Sequence, residues 1–188
     1  MAAICLVLIL SSARKPLTAG GNGGGGRQLV AGPAAEDRGG TIPWITIEEA
    51  AGRLQQQQRP ILVDLYTTWC GWCRQMDRKT YSNKKVAQYL SDKFYTVRID
   101  AETHAAITWQ GNTYRFDPRY KCNEFAVYLS HGRLEFPTTV IIPPGEAPQA
   151  IPGYMEPKDF EMLVKYFGEG AYKTRGFDEY QRDFHASW

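Results

Sequence analysis

The sequence predicts an α/β domain in which helices flank both faces of a mixed central sheet. Two apolar runs, residues 61–66 and 138–142, have the length of strands and are continuous enough to be covered on both sides. Other segments carry apolar residues at helical spacing, among them residues 83–94 and the segment that begins at Pro157. The resulting order of elements, βαβα, then β, then ββα, implies a sheet with parallel and antiparallel neighbours.

The first half of the domain alternates between strands and helices. In chain order the predicted elements are a strand over 42–45, a helix over 48–57, a strand over 61–66, a helix that starts at or near Cys70, a helix over 83–94 and a strand over 94–99. Thr46 and Glu49 form a capping-box pattern at the first helix, and Pro60 ends it. Residues 67–70 form the turn that leads from the second strand into its helix.

The second half is less regular at its start and ends in a helix. The predicted elements are a small hairpin over 107–116, a helix over 123–129, a strand over 138–142, a partner strand over 149–151 and an amphipathic helix from Pro157. The domain is expected to span residues 41–172. The tail that follows, residues 173–188, is aromatic and charged by turns and predicts a short helix packed on the domain.

Composition restricts the classes of protein that this chain can be. With 188 residues, of which 43% are hydrophobic, the chain can form one ordinary domain with tails. The formal net charge is +2 and no basic face with interleaved aromatic residues is evident, which argues against a nucleic-acid partner. Four cysteines are too few for a disulfide-stapled scaffold, and two of them lie three residues apart.

The N-terminal part of the sequence differs in composition from the rest. Residues 2–10 are apolar but too short to cross a membrane as a helix, and the small residues Ser11 and Ala13 fit a signal-peptidase cleavage site. Residues 1–13 are therefore predicted to be a signal peptide, although no Lys or Arg precedes the apolar run; an uncleaved hydrophobic tail is the alternative. Residues 14–40, rich in glycine, are predicted to be a flexible tether.

Residues 69–73 read Trp-Cys-Gly-Trp-Cys and join a predicted buried strand to a predicted helix. In the first helical turn, residues three apart share a face, so the sulfurs of Cys70 and Cys73 can meet. The free N–H groups and the positive end of the helix dipole favour the thiolate of Cys70, which is the attacking species. Cys70 is thus the candidate nucleophile on a substrate disulfide, and Cys73 resolves the mixed disulfide.

A zinc ribbon and a structural disulfide are the other uses of such a cysteine pair. Zinc needs two further ligands at matching spacing, but there is no second Cys-x-x-Cys, and His104, His131 and His185 are scattered singly. No metal site and no cofactor are therefore predicted. A pair at a strand–helix junction between two tryptophans fits a reactive site better than a structural bridge.

Over about residues 41–170 the chain resembles the thioredoxin superfamily. The resemblance rests on the Trp-Cys-Gly-Trp-Cys segment, on Asp64 six residues before the first cysteine, on Phe136-Pro137-Thr138 at the start of a core strand, and on the Pro143-Pro144-Gly145 turn that leads to Gly153. It implies the thioredoxin fold and thiol–disulfide oxidoreductase activity. Because a signal peptide and a tether are predicted, extracytoplasmic members from bacterial envelopes are the most similar.

The resemblance also implies roles for single residues. Asp64 is implied to be a buried carboxylate that exchanges protons with Cys73, and a carboxylate in an apolar strand is independently costly unless it is paired or useful. Pro137 is expected to be cis beside the cysteines, with Phe136 offering backbone groups to the substrate chain. The expected substrate-binding residues are Trp69, Gly71, Trp72, Phe136 and Pro137.

Several departures from the family pattern bear on function. The middle pair Gly71-Trp72 has neither the proline of the general cytosolic reductants nor the histidine of strong oxidants, so a reduction potential of roughly −200 to −270 mV is expected. The family's lysine near the buried carboxylate falls at about Thr96. Phe136 is bulkier than the residue that is common before the proline. Residues 101–133 exceed the minimal fold and form an insertion, either a partner surface or a packed, decorated loop.

The sequence as a whole predicts an enzyme that reduces or exchanges protein disulfides outside the cytoplasm, in a bacterial periplasm or envelope. Its expected partners are protein disulfides and an upstream thiol electron donor, such as a membrane-bound carrier. A monomer is expected, since no dimerisation segment is evident. The alternatives are a disulfide isomerase and a metallochaperone or thiol-bearing binding module on the same fold. Cys122 is expected to be a free or buried thiol, and a third redox cysteine is the alternative.

Overall fold

The computed structural model describes residues 42–188, so the predicted signal peptide (1–13) and tether (14–40) lie outside the described residues. The strands are β1 (Ile61–Tyr66), β2 (Tyr95–Asp100), β3 (Ile107–Trp109), β4 (Asn112–Tyr114), β5 (Phe116–Asp117), β6 (Cys122–Asn123), β7 (Thr138–Ile142) and β8 (Gln149–Pro152). The helices are α1 (Ile47–Leu54), α2 (Gly71–Met76) with a π-helical turn after it (Asp77–Tyr81), α3 (Lys84–Lys93), α4 (Glu124–Leu129), α5 (Pro157–Gly168), a 3₁₀ turn (Ala171–Lys173) and α6 (Phe177–Asp183).

The central sheet has four strands in the order β2-β1-β7-β8. β1 runs parallel to β2 and antiparallel to β7, and β7 pairs with β8 in the antiparallel sense. This is the mixed sheet, flanked by helices, that the sequence predicts. Of the strand predicted over 42–45, only Ile45 pairs, through an isolated parallel bridge to Val97. The pairing stays short because Pro43 has no N–H to donate to a ladder.

The sheet separates two hydrophobic layers, and alternation along β1 assigns each side chain to one of them. Ile61, Val63 and Leu65 face the layer that contains α1 and α4. Leu62 faces the other layer, which contains α2 with its π-helical turn, α3 and α5. Asp64 lies two residues after Leu62 and therefore faces the same layer as α2, the helix of the cysteine motif.

A side-chain cap defines where α1 begins. The Thr46 hydroxyl accepts a hydrogen bond from the Glu49 N–H at 3.1 Å, which is one half of the predicted capping box. The helix ends at Leu54, before the predicted limit at residue 57. Its last carbonyl is satisfied there by the side-chain amide of Gln58, at 2.7 Å, instead of by a further turn of helix.

Residues 101–133 form short hairpins and a helix that pack on the α1 side of the sheet. Trp109 and Phe125 from this segment are buried in that layer. β3 pairs with β4 as predicted, but Phe116 does not extend that hairpin and instead pairs with Asn123 in the separate hairpin of β5 and β6. The segment therefore contributes to the core of the domain.

The predicted tail, residues 173–188, contains α6 and packs on α5. Tyr180 of α6 is buried, with its ring centroid 5.2 Å from that of Tyr166 in α5. The buried carboxylate of Glu161 accepts hydrogen bonds from the N–H and the hydroxyl of Ser187. The short packed helix expected in the tail is therefore present.

Candidate active site

The two cysteines of the motif lie where β1 leads into α2. Cys70 is the N-cap of α2: its backbone is extended, and its sulfur accepts the Cys73 N–H at 3.0 Å. A disulfide with an S–S distance of 2.12 Å joins the two residues. The Cys70 sulfur thus lies at the N-terminus of α2 and accepts an N–H of its first turn. The field of this helix terminus favours a thiolate there once the bond is reduced.

Two exposed tryptophans flank the disulfide: Trp69 is 63% exposed and Trp72 is 62% exposed. The Trp69 ring stands edge-on to Phe136 with 6.2 Å between centroids, and Trp72 packs against Tyr154 at 5.5 Å. The Trp69 indole N–H also donates to a carboxylate oxygen of Glu102 at 3.0 Å. We call Trp69, Trp72, Phe136 and Tyr154 the aromatic rim. It surrounds sulfurs that are themselves almost buried.

The loop before β7 reaches the motif through Phe136. The Phe136–Pro137 peptide bond is cis, as the resemblance implies, and the Pro137 carbonyl accepts the N–H of Gly153 at 2.8 Å. Gly71 is the first residue of α2, where an added β-carbon would lie 3.9 Å from a side-chain nitrogen of Arg74. The proline loop thus reaches Trp69, the residue before Cys70, through Phe136. No described residue crowds the position of Gly71.

Asp64 lies in the middle of β1 and is 1% exposed. Its Oδ2 is 2.9 Å from both Nε and Nη2 of Arg98. Arg98 is the residue directly opposite Asp64 on β2 in the parallel pairing. The carboxylate is therefore buried, as expected, and its counterion comes from the neighbouring strand.

Arg98 is shared between two acids. Its Nη2 also bonds to Oδ1 of Asp77, which lies in the π-helical turn after α2. The guanidinium carbon lies 5.2 Å from a ring centroid of Trp44 and 5.0 Å from that of Tyr66, close enough for cation–π attraction. We call Asp64, Arg98 and Asp77 the buried charge triad.

Sequence reasoning missed Arg98 and Asp77. Thr96, the position expected for the family's lysine, carries no cation, and its hydroxyl donates to the Pro43 carbonyl at 2.8 Å. The signal that could have identified Arg98 is the one that identified Asp64, because a charge within an apolar strand must be paired. Asp77 carries no such signal, since acids in helices are ordinarily exposed.

Burial and the charges of the triad shift the pKa values of Asp64 and Arg98 and of the nearby Tyr81. Burial raises the pKa of Asp64 to about 6, because desolvation outweighs the attraction of Arg98, and Asp77 adds to the rise. Burial acts to lower the pKa of Arg98, but the two carboxylates hold it above its ordinary value. Burial, and then the Asp64 charge, raises the pKa of Tyr81 well above its ordinary value. The pKa of Asp64 therefore lies close enough to neutral pH for this carboxyl to change protonation there.

Cys122 differs from the motif cysteines in both bonding and environment. It is 5% exposed and forms no disulfide in the described part of the chain. Burial raises the pKa of its thiol, and the nearby charges of Glu102 and Asp100 raise it further. Cys122 is therefore the free, buried thiol that was expected, without the thiolate-favouring field found at Cys70.

Two further observations concern metals and membranes. Among residues 42–188, no group of three or more His, Cys, Asp or Glu side chains is arranged to hold a metal ion. None of the helices described for this chain is long and apolar enough to span a bilayer.

The fold and the disulfide at the start of α2 define the chain as a thioredoxin-like protein. A family model described as thioredoxin-like matches residues 43–144, which is more than half of the chain. The chain belongs to this thioredoxin-like family and carries a Cys70–Cys73 disulfide at its motif. The predicted fold and superfamily are thereby confirmed.

Individual relatives are similar over short stretches. Chloroplastic thioredoxin Y of Oryza sativa subsp. japonica is 39% identical over 54 residues, 29% of this chain and 30% of that protein. Human spermatogenesis-associated protein 20 is 28% identical over 60 residues, 32% of this chain and 7% of that protein. The chain thus spans less than a third of the length of either relative. A thioredoxin-fold protein from Helicobacter pylori superposes with a TM-score of 0.51 at 14% identity, over 66% of this chain and 79% of that one, which supports the fold.

Proposed function

We propose that this protein uses a Cys70–Cys73 dithiol to reduce or exchange the disulfides of other proteins outside the cytoplasm. The observation that carries the proposal is the disulfide between these residues at the N-terminus of α2, surrounded by the aromatic rim. The cysteine pair exchanges two electrons per cycle. The rim offers apolar contact area suited to a polypeptide substrate.

The reaction consists of two thiol–disulfide exchanges. The Cys70 thiolate attacks one sulfur of the substrate disulfide, which forms a mixed disulfide and releases the other substrate sulfur as a thiolate. Cys73 then attacks Sγ of Cys70, which closes the Cys70–Cys73 disulfide and releases the second substrate sulfur. The substrate gains two electrons and the protein loses two. A thiol donor restores the dithiol by the reverse exchange.

Asp64 serves the second exchange, in which Cys73 must lose its proton. The carboxylate faces the layer of α2 and is linked to the turn after α2 through Arg98. With a pKa of about 6, it is ionised at neutral pH, yet close enough to that pH to take up a proton. These features support its role as the proton acceptor for Cys73.

The aromatic rim is the proposed binding surface for the substrate chain. Trp69 and Trp72 lie on either side of Cys70, and the Phe136–Pro137 loop lies beside Trp69. An extended segment next to the substrate cysteine can lie across these rings, with backbone groups near Phe136 available for hydrogen bonds. The substrate class that fits is therefore protein disulfides with accessible flanking residues.

The compartment and the electron donor are inferred from the N-terminal sequence and from the motif. The apolar run 2–10, the small residues after it and the glycine-rich tether support export to a bacterial periplasm or envelope. Without a histidine in the motif, the disulfide should be only weakly oxidising, so an oxidising compartment requires a donor that keeps the protein reduced. A membrane thiol carrier fits the role of this donor. The proposed active form of the protein is a monomer.

The decisive measurement is the reduction potential of the Cys70–Cys73 pair. The purified protein is equilibrated with dithiothreitol or glutathione buffers, and the fluorescence of Trp69 and Trp72 reports the dithiol fraction. We expect roughly −200 to −270 mV, within the reducing part of the range spanned by thioredoxin and DsbA. A value near −120 mV, as in DsbA, would make the protein a disulfide donor and overturn the reductase function.

The compartment is tested separately, on protein purified from its own cell. N-terminal sequencing is expected to find a start near Arg14, with Cys70 and Cys73 largely reduced when thiols are trapped by acid. Soluble cytoplasmic material that retains Met1 would contradict the proposed location.

A further inference from the structure

Asp77 connects the motif helix to the buried carboxylate of β1. It lies four residues after Cys73, on the same side of the helix, and its N–H donates to the Cys73 carbonyl. Its side chain is 11% exposed and bonds to Nη2 of Arg98, the same nitrogen that lies 2.9 Å from Asp64. One nitrogen of one arginine is therefore shared by an acid on the motif helix and an acid on β1.

The backbone at Asp77 is also unusual. Residues Asp77–Tyr81 form a π-helical turn directly after α2, and this turn buries Asp77, Thr80 and Tyr81. Single π-helical turns within helices are rare and occur frequently at functional sites. The turn brings both a carboxylate and a tyrosine hydroxyl into the layer that Asp64 faces.

Stability alone gives no reason for a second acid in this place. Arg98 and Asp64 already form a buried pair whose charges balance. Asp77 adds a negative charge to the triad, and taking that charge out of water costs free energy. The second acid therefore calls for a reason beyond balancing the charge of Arg98.

We propose that Asp77 is a positioning residue that divides Arg98 between two carboxylates and thereby sets the pH at which Asp64 can accept the proton of Cys73. This inference rests on the proposed function, because it assigns a regulator to the same proton transfer. Asp77 acts through Arg98 and does not itself touch the reacting sulfurs.

Among residues 42–188, the groups that shift the pKa of Asp64 come from two elements, and the proposed function adds the thiol of Cys73 on α2 as the proton donor. β2 contributes Arg98, and the π-helical turn contributes Asp77 and Tyr81. From β7, the residue opposite Asp64 is the uncharged Thr139. Arg98 favours the ionised form of Asp64, whereas the negative charge of Asp77 opposes it.

Neutralising Asp77 and neutralising Arg98 must therefore shift the pKa of Asp64 in opposite directions. Asp77→Asn removes a like charge from Asp64 and leaves Arg98 to Asp64 alone, so Asp64 should ionise at lower pH. Arg98→Gln removes the counterion of both acids, so Asp64 should ionise at higher pH. If Asp77 and Arg98 had merely structural roles, both variants would be less stable, but the pKa of Asp64 would not shift in opposite directions.

The first test reads Asp64 directly, in the oxidised protein and without turnover. Carboxyl ¹³C resonances of aspartate are followed by NMR against pH in wild type, Asp77→Asn and Arg98→Gln, and Asp64→Asn identifies the Asp64 signal. We expect the Asp64 midpoint, about 6 in wild type, to move down in Asp77→Asn and up in Arg98→Gln. Each shift should be about one pH unit. An unmoved midpoint in Asp77→Asn would overturn the proposal.

The second test asks whether the shift in the pKa of Asp64 also changes the pH dependence of disulfide reduction. Pre-reduced protein is mixed with excess insulin, and the fluorescence of Trp69 and Trp72 follows a single turnover between pH 5 and 9. The acid limb of the rate profile should move in the same direction as the Asp64 midpoint for each variant, and Asp77→Glu, which keeps the charge, should restore the wild-type profile. Asp117→Asn, which removes an acid from a pair with the exposed Arg119, is the matched control and should leave the profile unchanged.

The outcomes separate this inference from the proposed function. If wild type fails to reduce insulin at any pH, the proposed function fails, while the NMR midpoints still decide whether Asp77 controls Asp64. If wild type reduces insulin but Asp77→Asn has an unchanged profile, the inference fails alone. Should Asp77→Asn not fold, Asp77→Ser decides, because it removes the same charge beside Arg98 with a smaller polar side chain. An unmoved Asp64 midpoint in that variant would also overturn the inference.

Discussion

The cysteine motif and the buried charge triad are assembled in opposite ways. The motif is contiguous: its key hydrogen bond joins residues three apart, and its tryptophans are about two-thirds exposed. The triad joins Arg98 to acids 34 and 21 residues away, on another strand and on the turn after α2, and is almost fully buried. The part proposed to meet a substrate is therefore local, whereas the part proposed to govern proton transfer depends on the tertiary fold.

The two regions also use electrostatics differently. At Cys70 the field comes from backbone N–H groups at a helix terminus, which any sequence that forms α2 will present. At Asp64 the field comes from side chains and from the absence of water, so it depends on each partner. Substitutions in the motif should therefore change whether the reaction occurs, and substitutions in the triad should change its pH dependence.

The largest effects should follow substitution of the motif cysteines. Cys70→Ser should reduce insulin disulfides no faster than the uncatalysed reaction, because the attacking thiolate is gone. Cys73→Ser should instead accumulate mixed disulfides with substrates, since attack survives and resolution does not. Non-reducing electrophoresis after acid trapping measures both. Cys122→Ser is the matched control and should keep wild-type turnover; intact turnover in Cys73→Ser would refute the assigned roles.

The next effect should be at the triad. Asp64→Asn should slow the release of product from the mixed disulfide roughly a hundredfold, the usual contribution of a positioned general base. It should also remove the acid limb near pH 6 from the rate profile, because that limb reports Asp64. Stopped-flow measurements across pH check both effects. A wild-type profile in this variant would mean that Asp64 has only a structural role.

The same carboxylate should make stability depend on pH. Its pKa in the folded protein, about 6, lies above its ordinary value of 3.8, so the folded state holds the proton more tightly than the unfolded state. The associated stability is complete below about pH 4 and is lost as pH rises through 6, by a total of about 3 kcal/mol in the free energy of unfolding. Urea unfolding at several pH values measures this decline. It should be absent in Asp64→Asn, and an equal decline in that variant would assign it to another group.

A smaller effect is expected at the aromatic rim. Trp72→Ala should lower kcat/KM for insulin about tenfold, corresponding to ~1.4 kcal/mol of lost contact, and leave the reduction of a small aromatic disulfide nearly unchanged. Tyr120→Ala removes an aromatic residue of comparable exposure (52%) from the 101–133 segment and serves as the control. Equal losses in the two variants would mean that the substrate surface extends over the insertion.

The smallest effect is expected at Gly71, which lies between Cys70 and Trp72 in the motif. Gly71→Ala places its new methyl group in free space near Arg74, and alanine is the better helix former at the start of α2. Turnover should stay within about twofold of wild type, and stability should not fall. A large loss in insulin reduction would show that the substrate chain passes directly over this position and leaves no room for a side chain there.

Much of the fold could be predicted because its signals are local. The apolar runs 61–66 and 138–142 coincide with β1 and β7, and Pro157 begins α5. The errors occur where pairing depends on distant partners. Residues 42–45 contain strand-forming side chains, yet only Ile45 finds a ladder partner. Phe116 was assigned to one hairpin and pairs in another.

The residues of the candidate site could likewise be predicted where their signals are local, and could not where they depend on distant partners. Cys70 and Cys73 could be identified from their spacing and from the strand–helix junction at which they lie, because residues three apart in a first helical turn share a face. The roles expected of Trp69 and Trp72 came from the resemblance to the thioredoxin superfamily. The buried position of Asp64 was implied by the resemblance, and the cost of a charge in an apolar strand agreed with a paired or functional carboxylate there. The counterion of Asp64 could not be predicted in this way. Thr96 and Arg98 lie on the same face of β2, and only the register with β1 places Arg98 opposite Asp64.

By itself, the sequence determined most of the order of strands and helices, the location of the dithiol at a helix N-terminus and the presence of an acid in the buried strand before it. Only the tertiary structure decided which charges surround that acid. Hydrophobic periodicity and helix-terminus fields act over a few residues and can be read along the chain. The proton affinity of a buried carboxylate depends on desolvation and on Coulomb interactions with groups that are distant in sequence, and here these groups are Arg98 and Asp77.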